Sequence, residues 1–123
     1  MNKADEAREL VFQAIKEEEI TEGLVVRLQL LKGDRNEIGE AGSIFRKYKR
    51  CLEDVKEVSL AKIRCVEVCV FTSHSRFDPP EGNIYGNFYQ REIAALLIND
   101  GFTVKDRRKN WDTMTRYLLD IFW

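Results

Sequence analysis

The stretch from Leu60 to Tyr89 constrains the fold of this chain more than any other part of the sequence. It opens with the most apolar run in the protein, residues 63–71, and then passes into a loop rich in polar, aromatic and turn residues. β-Branched residues recur at every second position of the run, which is typical of a strand. Because both faces of its second half are apolar, we predict a central strand over residues 60–71 that is covered on both sides. Glu67 is the exception, because a carboxylate at an otherwise buried position needs a partner or water.

The amino-terminal third of the chain is predicted to be helical, with one ambiguous segment. Apolar residues at helical spacing indicate an amphipathic helix over residues 4–19, which we expect to stop or bend at the acidic run 17–19. Residues 20–34 alternate like a strand and also carry a helical stripe. Thr21 as N-cap and Gly33 after the last turn favour a helix by a small margin.

Residues 33–36 carry a turn signal, and a further helix is predicted after them. This helix starts at Glu37 or Glu40 and runs to Glu57. The first half of the chain is therefore predicted to be an antiparallel cluster of two or three helices.

The carboxyl-terminal third is predicted to contain two helices and a short strand. Asn87 is placed to cap a helix over residues 88–99, and residues 102–104 follow as a strand. Residues 105–110 form a basic turn, after which apolar spacing predicts a helix over residues 112–123.

Together these elements predict an α+β fold in a single compact domain, residues 1–123. Its amino-terminal helical cluster would pack on a small sheet with a central strand near 60–71, beside the two carboxyl-terminal helices. The chain is long enough for one core, and its 44% hydrophobic content is that of a globular protein.

Charge, cysteine usage and hydropathy exclude several classes of protein. Twenty basic and 21 acidic residues nearly cancel, so the chain as a whole is not an electrostatic binder of nucleic acid or membranes. No apolar run approaches the roughly 18 residues that span a bilayer, and no secretory signal is visible. Three cysteines without framework spacing fit a reducing compartment. We therefore expect a cytoplasmic protein (the nucleus being the alternative) with no membrane partner.

The single histidine, His74, lacks the companions that a metal or catalytic site requires. Cys65 and Cys69 would share a strand face but lie roughly 13 Å apart, too far for one ion. Ser73 and His74 are adjacent and point in opposite directions on an extended chain, so they do not form a nucleophile and base pair. We predict no catalytic residue, no metal and no cofactor. A small-molecule or hydrolytic site around His74, with Glu67, Arg76 and Tyr85 as further walls, is kept as a third hypothesis.

Two basic clusters support a second hypothesis, nucleic-acid binding. Cationic side chains neutralise phosphates, and neighbouring aromatic residues stack on unpaired bases. The clusters span residues 46–50 and 105–109, and their candidate contacts are Arg46, Lys47, Lys49, Arg50, Lys105, Arg107, Arg108 and Lys109.

Aromatic and arginine residues in the loop and near the carboxyl terminus support the first hypothesis, a protein-binding surface. Such residues dominate the binding energy of many interfaces. The candidate contacts are His74, Arg76, Phe77, Tyr85, Tyr89, Trp111 and Trp123. We therefore predict a non-catalytic intracellular binding protein, a small regulator or adaptor, whose partner is another protein or a second copy of the chain.

Overall fold

The α+β class is confirmed by a computed structural model of the protein, which describes residues 2–32, 37–74, 79–111 and 113–123. The described residues form, in order, α1 (Lys3–Lys32), α2 (Ile38–Leu60), β1 (Cys65–Ser73), α3 (Ile84–Asn99), β2 (Thr103–Trp111) and β3 (Met114–Phe122). The predicted turn at 33–36 and the predicted contacts Arg76 and Phe77 lie outside the described residues. None of the helices in the described ranges combines the length and the apolarity that crossing a bilayer requires.

The chain divides into two compact units, residues 1–45 and residues 46–123. The first contains α1 and the start of α2, and the second contains the rest of α2, the sheet and α3. The prediction of a single domain with helices packed on the sheet stays a prediction.

Residues 3–32 form one continuous helix of 30 residues, so the predicted break at the acidic run was wrong. Glutamate is a good helix former, and the segment contains no proline, so the run stays in the helix. Thr21 is not an N-cap, since its hydroxyl donates a hydrogen bond to the carbonyl of Glu17 (2.8 Å) inside the helix. The helical interpretation of residues 20–32 is confirmed. Burial is confined to the second half of α1, where Leu24 and Leu28 are fully buried.

The second predicted helix is confirmed and is longer than expected, because α2 continues to Leu60. The predicted strand beginning at Leu60 consequently starts only at Cys65. Within the second unit, Tyr48 on α2 donates a hydrogen bond to the carboxylate of Asp100, just beyond α3. Burial and this hydrogen bond raise the pKa of the Tyr48 hydroxyl.

The sheet has three strands in the order β1-β3-β2, and each neighbouring pair is antiparallel. β1 and β2 therefore run parallel on the two edges, connected through α3, in a split β-α-β arrangement. The prediction that residues 60–71 form the central strand was wrong, because β3 occupies that position. One face of β1 is open rather than covered, and Cys65, Glu67 and Cys69 are exposed on it.

The predicted helix at 112–123 was wrong, because residues 114–122 form β3. Its apolar residues satisfy helical spacing, but the consecutive residues Tyr117, Leu118 and Leu119 are at most 3% exposed. Three consecutive buried residues fit a strand that has a neighbouring strand on each side, and β3 pairs with both β1 and β2. The prediction of a basic turn over residues 105–110 was also wrong. These residues continue the short strand predicted at 102–104, so that β2 is a single strand of nine residues.

The helix predicted at 88–99 is confirmed, but it begins four residues earlier. Asn83, not Asn87, is its N-cap, and its Oδ1 accepts hydrogen bonds from the backbone N–H groups of Tyr85 (2.9 Å) and Gly86 (3.3 Å). Gly86 lies directly against the central strand, because a Cβ atom there would be 2.5 Å from the ring of Tyr117. The Tyr117 hydroxyl also accepts a hydrogen bond from the backbone N–H of Asn83 (2.6 Å). These contacts place α3 over the face of the sheet that carries Tyr117.

Candidate functional site

A groove runs between α3 and the edge strand β2. It consists of two adjoining cavities of about 630 Å³ and 550 Å³, which share Asn87, Gln90 and Asp106 as lining residues. We call this feature the α3–β2 groove. It has a polar end beside the turn at 79–82 and an apolar end towards the end of α3.

The polar end is lined by amide, hydroxyl and charged side chains fixed by local hydrogen bonds. Asn87 donates to the carbonyl of Glu81 (2.8 Å), and Arg108 donates to the carbonyl of Pro80 (2.9 Å). Gly82, with φ 91°, allows this close approach, because a Cβ atom there would lie 2.6 Å from Nη1 of Arg108. The turn is thus tied both to α3 and to β2.

Gln90 sets the distance between α3 and the sheet. Its side chain is buried, and Nε2 donates to the carbonyls of Arg107 (2.9 Å) and Leu118 (3.0 Å). Because a buried amide keeps its position when its hydrogen bonds are made, Gln90 fixes the floor of the α3–β2 groove.

The apolar end is lined by small or branched side chains. Ala94 and Ala95 lie on α3, Val104 lies on β2, and Ile98 is 56% exposed. The alanines leave room for an incoming side chain, and Ile98 and Val104 provide apolar surface for it.

β2 adds main-chain hydrogen-bonding groups to one side of the groove. In the described sheet it pairs with β3 only, so its other edge has no neighbouring strand. Residues of β2 alternate between two faces, and Tyr117, which contacts α3, is paired with Arg108. Asp106, Arg108 and Asn110 therefore share the face of α3, whereas Lys105, Arg107 and Lys109 lie on the open face.

The open face carries an ion cluster that gives Glu67 its partner. Nε of Arg107 lies 2.8 Å from a carboxylate oxygen of Asp120, and Nη2 of Arg107 contacts the carboxylate of Glu67. Hydrogen bonding to Asp120, with a smaller contribution from Glu67, raises the pKa of the Arg107 guanidinium. Glu67 is both paired and exposed, because it lies on the open face of the edge strand β1.

The structure separates the residues predicted to bind a protein partner. His74 follows β1 and is exposed at the end of the sheet where Trp111 ends β2, whereas Trp123 follows β3 at the opposite end. Tyr89 is buried, with its ring 5.0 Å from that of Phe71, so it is a core residue. Tyr85 is half-buried in the first turn of α3. The described lining of the α3–β2 groove includes none of His74, Tyr85, Tyr89, Trp123 and Glu67.

The two basic clusters occupy different elements and are partly used for internal contacts. Nζ of Lys47 on α2 donates to the carbonyl of Val70 (2.7 Å), and burial lowers the pKa of Lys47. Arg107 is paired with two carboxylates, and Arg108 is held by the turn at Pro80. The exposed members on α2 are Arg46, Lys49 and Arg50.

The cysteines offer no shared ligand set. Cys51 is fully buried, and burial raises the pKa of its thiol to about 12, whereas Cys65 and Cys69 are exposed. No group of three or more histidine, cysteine, aspartate or glutamate residues in the described ranges is arranged to hold a metal ion.

Most of the lining of the α3–β2 groove was missed from the sequence, although Arg107 and Arg108 were among the predicted nucleic-acid contacts. The other lining residues match no motif for chemistry. The adjacent Ala94 and Ala95 and the uninterrupted polar run on β2 are the only local signals, and neither indicates a groove until the strand pairing is known.

Comparisons with known proteins add no family to these observations. The sequence matches no protein family model, and neither the curated proteins nor the solved structures include a match to it.

Proposed function

We propose that the protein is a non-catalytic intracellular binding protein, a regulator or adaptor, that takes an extended segment of a partner protein into the α3–β2 groove. One observation carries this proposal: the groove runs along the edge strand β2, with the helix α3 as its opposite wall. An extended peptide adds to a sheet edge through main-chain hydrogen bonds, and pockets for alternate side chains provide specificity.

The side chains of β2 favour an acidic partner segment. An added strand would place every second residue on the open face, where two of them would lie opposite Lys105 and Lys109, and opposite charges across paired strands are stabilising. The remaining residues would face the groove, with an apolar side chain over Ala95, Ile98 and Val104.

The same charges disfavour pairing between two copies of β2. Like charges directly opposite each other on paired strands are destabilising, and lysines on an edge strand discourage nonspecific pairing. The groove therefore fits a different protein better than it fits β2 of a second copy.

A peptide library displayed on phage and selected on the purified chain tests this proposal. We expect the selected peptides to carry acidic residues at alternate positions. Ala95→Trp should abolish their binding, because the indole fills the apolar end of the groove. Ala61→Trp is the matched control, since Ala61 is also exposed and lies in the turn after α2, and it should leave binding unchanged. Failure to select any peptide, or equal binding by Ala95→Trp, would contradict the proposal.

Nucleic-acid binding remains a second candidate, because Lys105 and Lys109 lie on one face of β2 and Arg46, Lys49 and Arg50 are exposed on α2. It requires an affinity for single-stranded nucleic acid that falls steeply with added salt. No binding of a single-stranded oligonucleotide at low salt would exclude it.

A further inference from the structure

The first half of α1 exposes an apolar stripe that the groove does not involve. Val11, Phe12 and Ile15 are 59%, 62% and 51% exposed, and with Ala7 and Arg8 they line one shallow cavity on the helix. Apolar side chains clustered on an exposed face mark an interaction surface more often than scattered ones do.

The stripe extends into a seam with coiled-coil spacing. The seam consists of residues spaced alternately four and three positions apart, a spacing that keeps them on one side of a helix. Its positions are 4, 8, 11, 15, 18 and 22. These positions hold Ala4, Arg8, Val11, Ile15, Glu18 and Glu22. The centre of the seam is thus apolar, with a basic residue on its amino-terminal side and acidic residues on its carboxyl-terminal side.

Because the basic residue lies at one end of the seam and the acidic residues lie at the other, two copies that pair in opposite directions bring opposite charges together. When two copies of the seam pair in opposite directions, Val11 of each faces Ile15 of the other, and Arg8 of each faces Glu18 of the other. A parallel pair would instead place Arg8 against Arg8 and Glu18 against Glu18, which is repulsive. The present partner of Arg8 is Asp5 within the same helix (2.9 Å), and this pair is exposed and therefore weak.

We propose that the first half of α1 is a self-association surface, through which two copies of the chain pair as antiparallel helices. The apolar centre provides the attraction, and the two Arg8–Glu18 contacts set the direction. This surface shares no residue with the lining of the α3–β2 groove.

Reversing the charge at either end of the seam, and then mixing the two variants, tests the pairing. Sedimentation equilibrium of the full chain over a concentration series measures dimerisation. We expect the unchanged chain to dimerise. Arg8→Glu and Glu18→Arg should each weaken the dimer by about tenfold or more, because each substitution turns two attractive contacts into two repulsive ones. An equimolar mixture of the two variants should restore dimerisation, since each contact then joins a glutamate to an arginine.

A control variant and circular dichroism make the result decisive. Lys16→Glu makes the same charge change at an exposed position outside the seam, and it should leave the dimer unchanged. Helical content should be the same in all the variants. A chain that stays monomeric at every concentration, association that is insensitive to Arg8→Glu, or a mixture that does not recover would each overturn the proposal.

Discussion

The first half of α1 and the whole of α3 are helices of similar length that are stabilised in opposite ways. Every residue from 3 to 18 is exposed, whereas seven of the 16 residues of α3 are buried. The first half of α1 is rich in alanine, glutamate and other good helix formers. The first six residues of α3 include a glycine, an asparagine and three aromatic residues, which are poor helix formers. α1 is therefore determined mainly by local propensity, and α3 by its N-cap and its contacts with the sheet.

Replacing a glycine with alanine should have opposite effects on the free energy of unfolding in the two helices, and this is the largest difference that we expect between them. Gly86→Ala places a Cβ atom 2.5 Å from the Tyr117 ring, and such overpacking should lower the free energy of unfolding by about 1–3 kcal/mol. Gly23→Ala lies in the interior of α1, where the nearest added contact is the Arg27 side chain at 3.4 Å. It should raise stability by about 0.5–1 kcal/mol. Urea denaturation measures both, and a stabilising Gly86→Ala would show that α3 does not need its close approach to β3.

The N-caps of the two helices provide an intermediate test. Asn83→Ala removes the acceptor for two backbone N–H groups of α3 and should cost the whole second unit about 1 kcal/mol. Asn2→Ala removes the equivalent acceptor for the N–H of Asp5, but it should only fray the exposed start of α1. Urea denaturation together with amide hydrogen exchange distinguishes global from local loss. A global loss from Asn2→Ala would show that the start of α1 is coupled to the rest of the fold.

The exposed ion pairs of the two regions should give the smallest effects. Asp5→Asn removes the Arg8 pair on α1, and Arg107→Met removes the pairs with Glu67 and Asp120 on the open face of the sheet. Both substitutions should shift the urea midpoint less than the glycine and asparagine changes, because exposed ion pairs contribute little and are screened by salt. In 1 M salt, most of the difference in urea midpoint between each variant and the unchanged chain should disappear. A shift that persists there would show that the Arg107 side chain stabilises the sheet by packing rather than by charge.

The elements that the sequence predicted correctly are those whose pattern is local. α2, α3 and the strand character of residues 65–71 follow from periodicity alone. β3 was mistaken for a helix because its apolar residues satisfy both periods, and only the presence of a strand on each side decides between them. β2 was mistaken for a turn because an edge strand with exposed faces needs no apolar alternation.

The candidate site was less predictable than the fold for the same reason. The α3–β2 groove requires β2 to exist as a strand and to lie on the edge of the sheet, and both depend on pairing with β3. The described aromatic residues that the sequence marked for binding lie in the core (Tyr89), in the first turn of α3 (Tyr85) and at the two ends of the sheet (Trp111 and Trp123). Tyr89 illustrates the difficulty, since a buried ring and an interface ring look alike in a sequence.

The position of β3 has a consequence for how the protein is made. β3 follows β1, α3 and β2 along the chain, yet it lies between the two other strands. A nascent chain that has released β2 from the ribosome therefore has two strands that are not neighbours in the complete sheet, and it lacks the Tyr117 ring against which Gly86 packs. Val68 and Val70, which are buried in the complete sheet, would stay accessible to chaperones until the nine residues of β3 emerge. We therefore expect the sheet to assemble only after β3 has been synthesised, in a single event, rather than strand by strand.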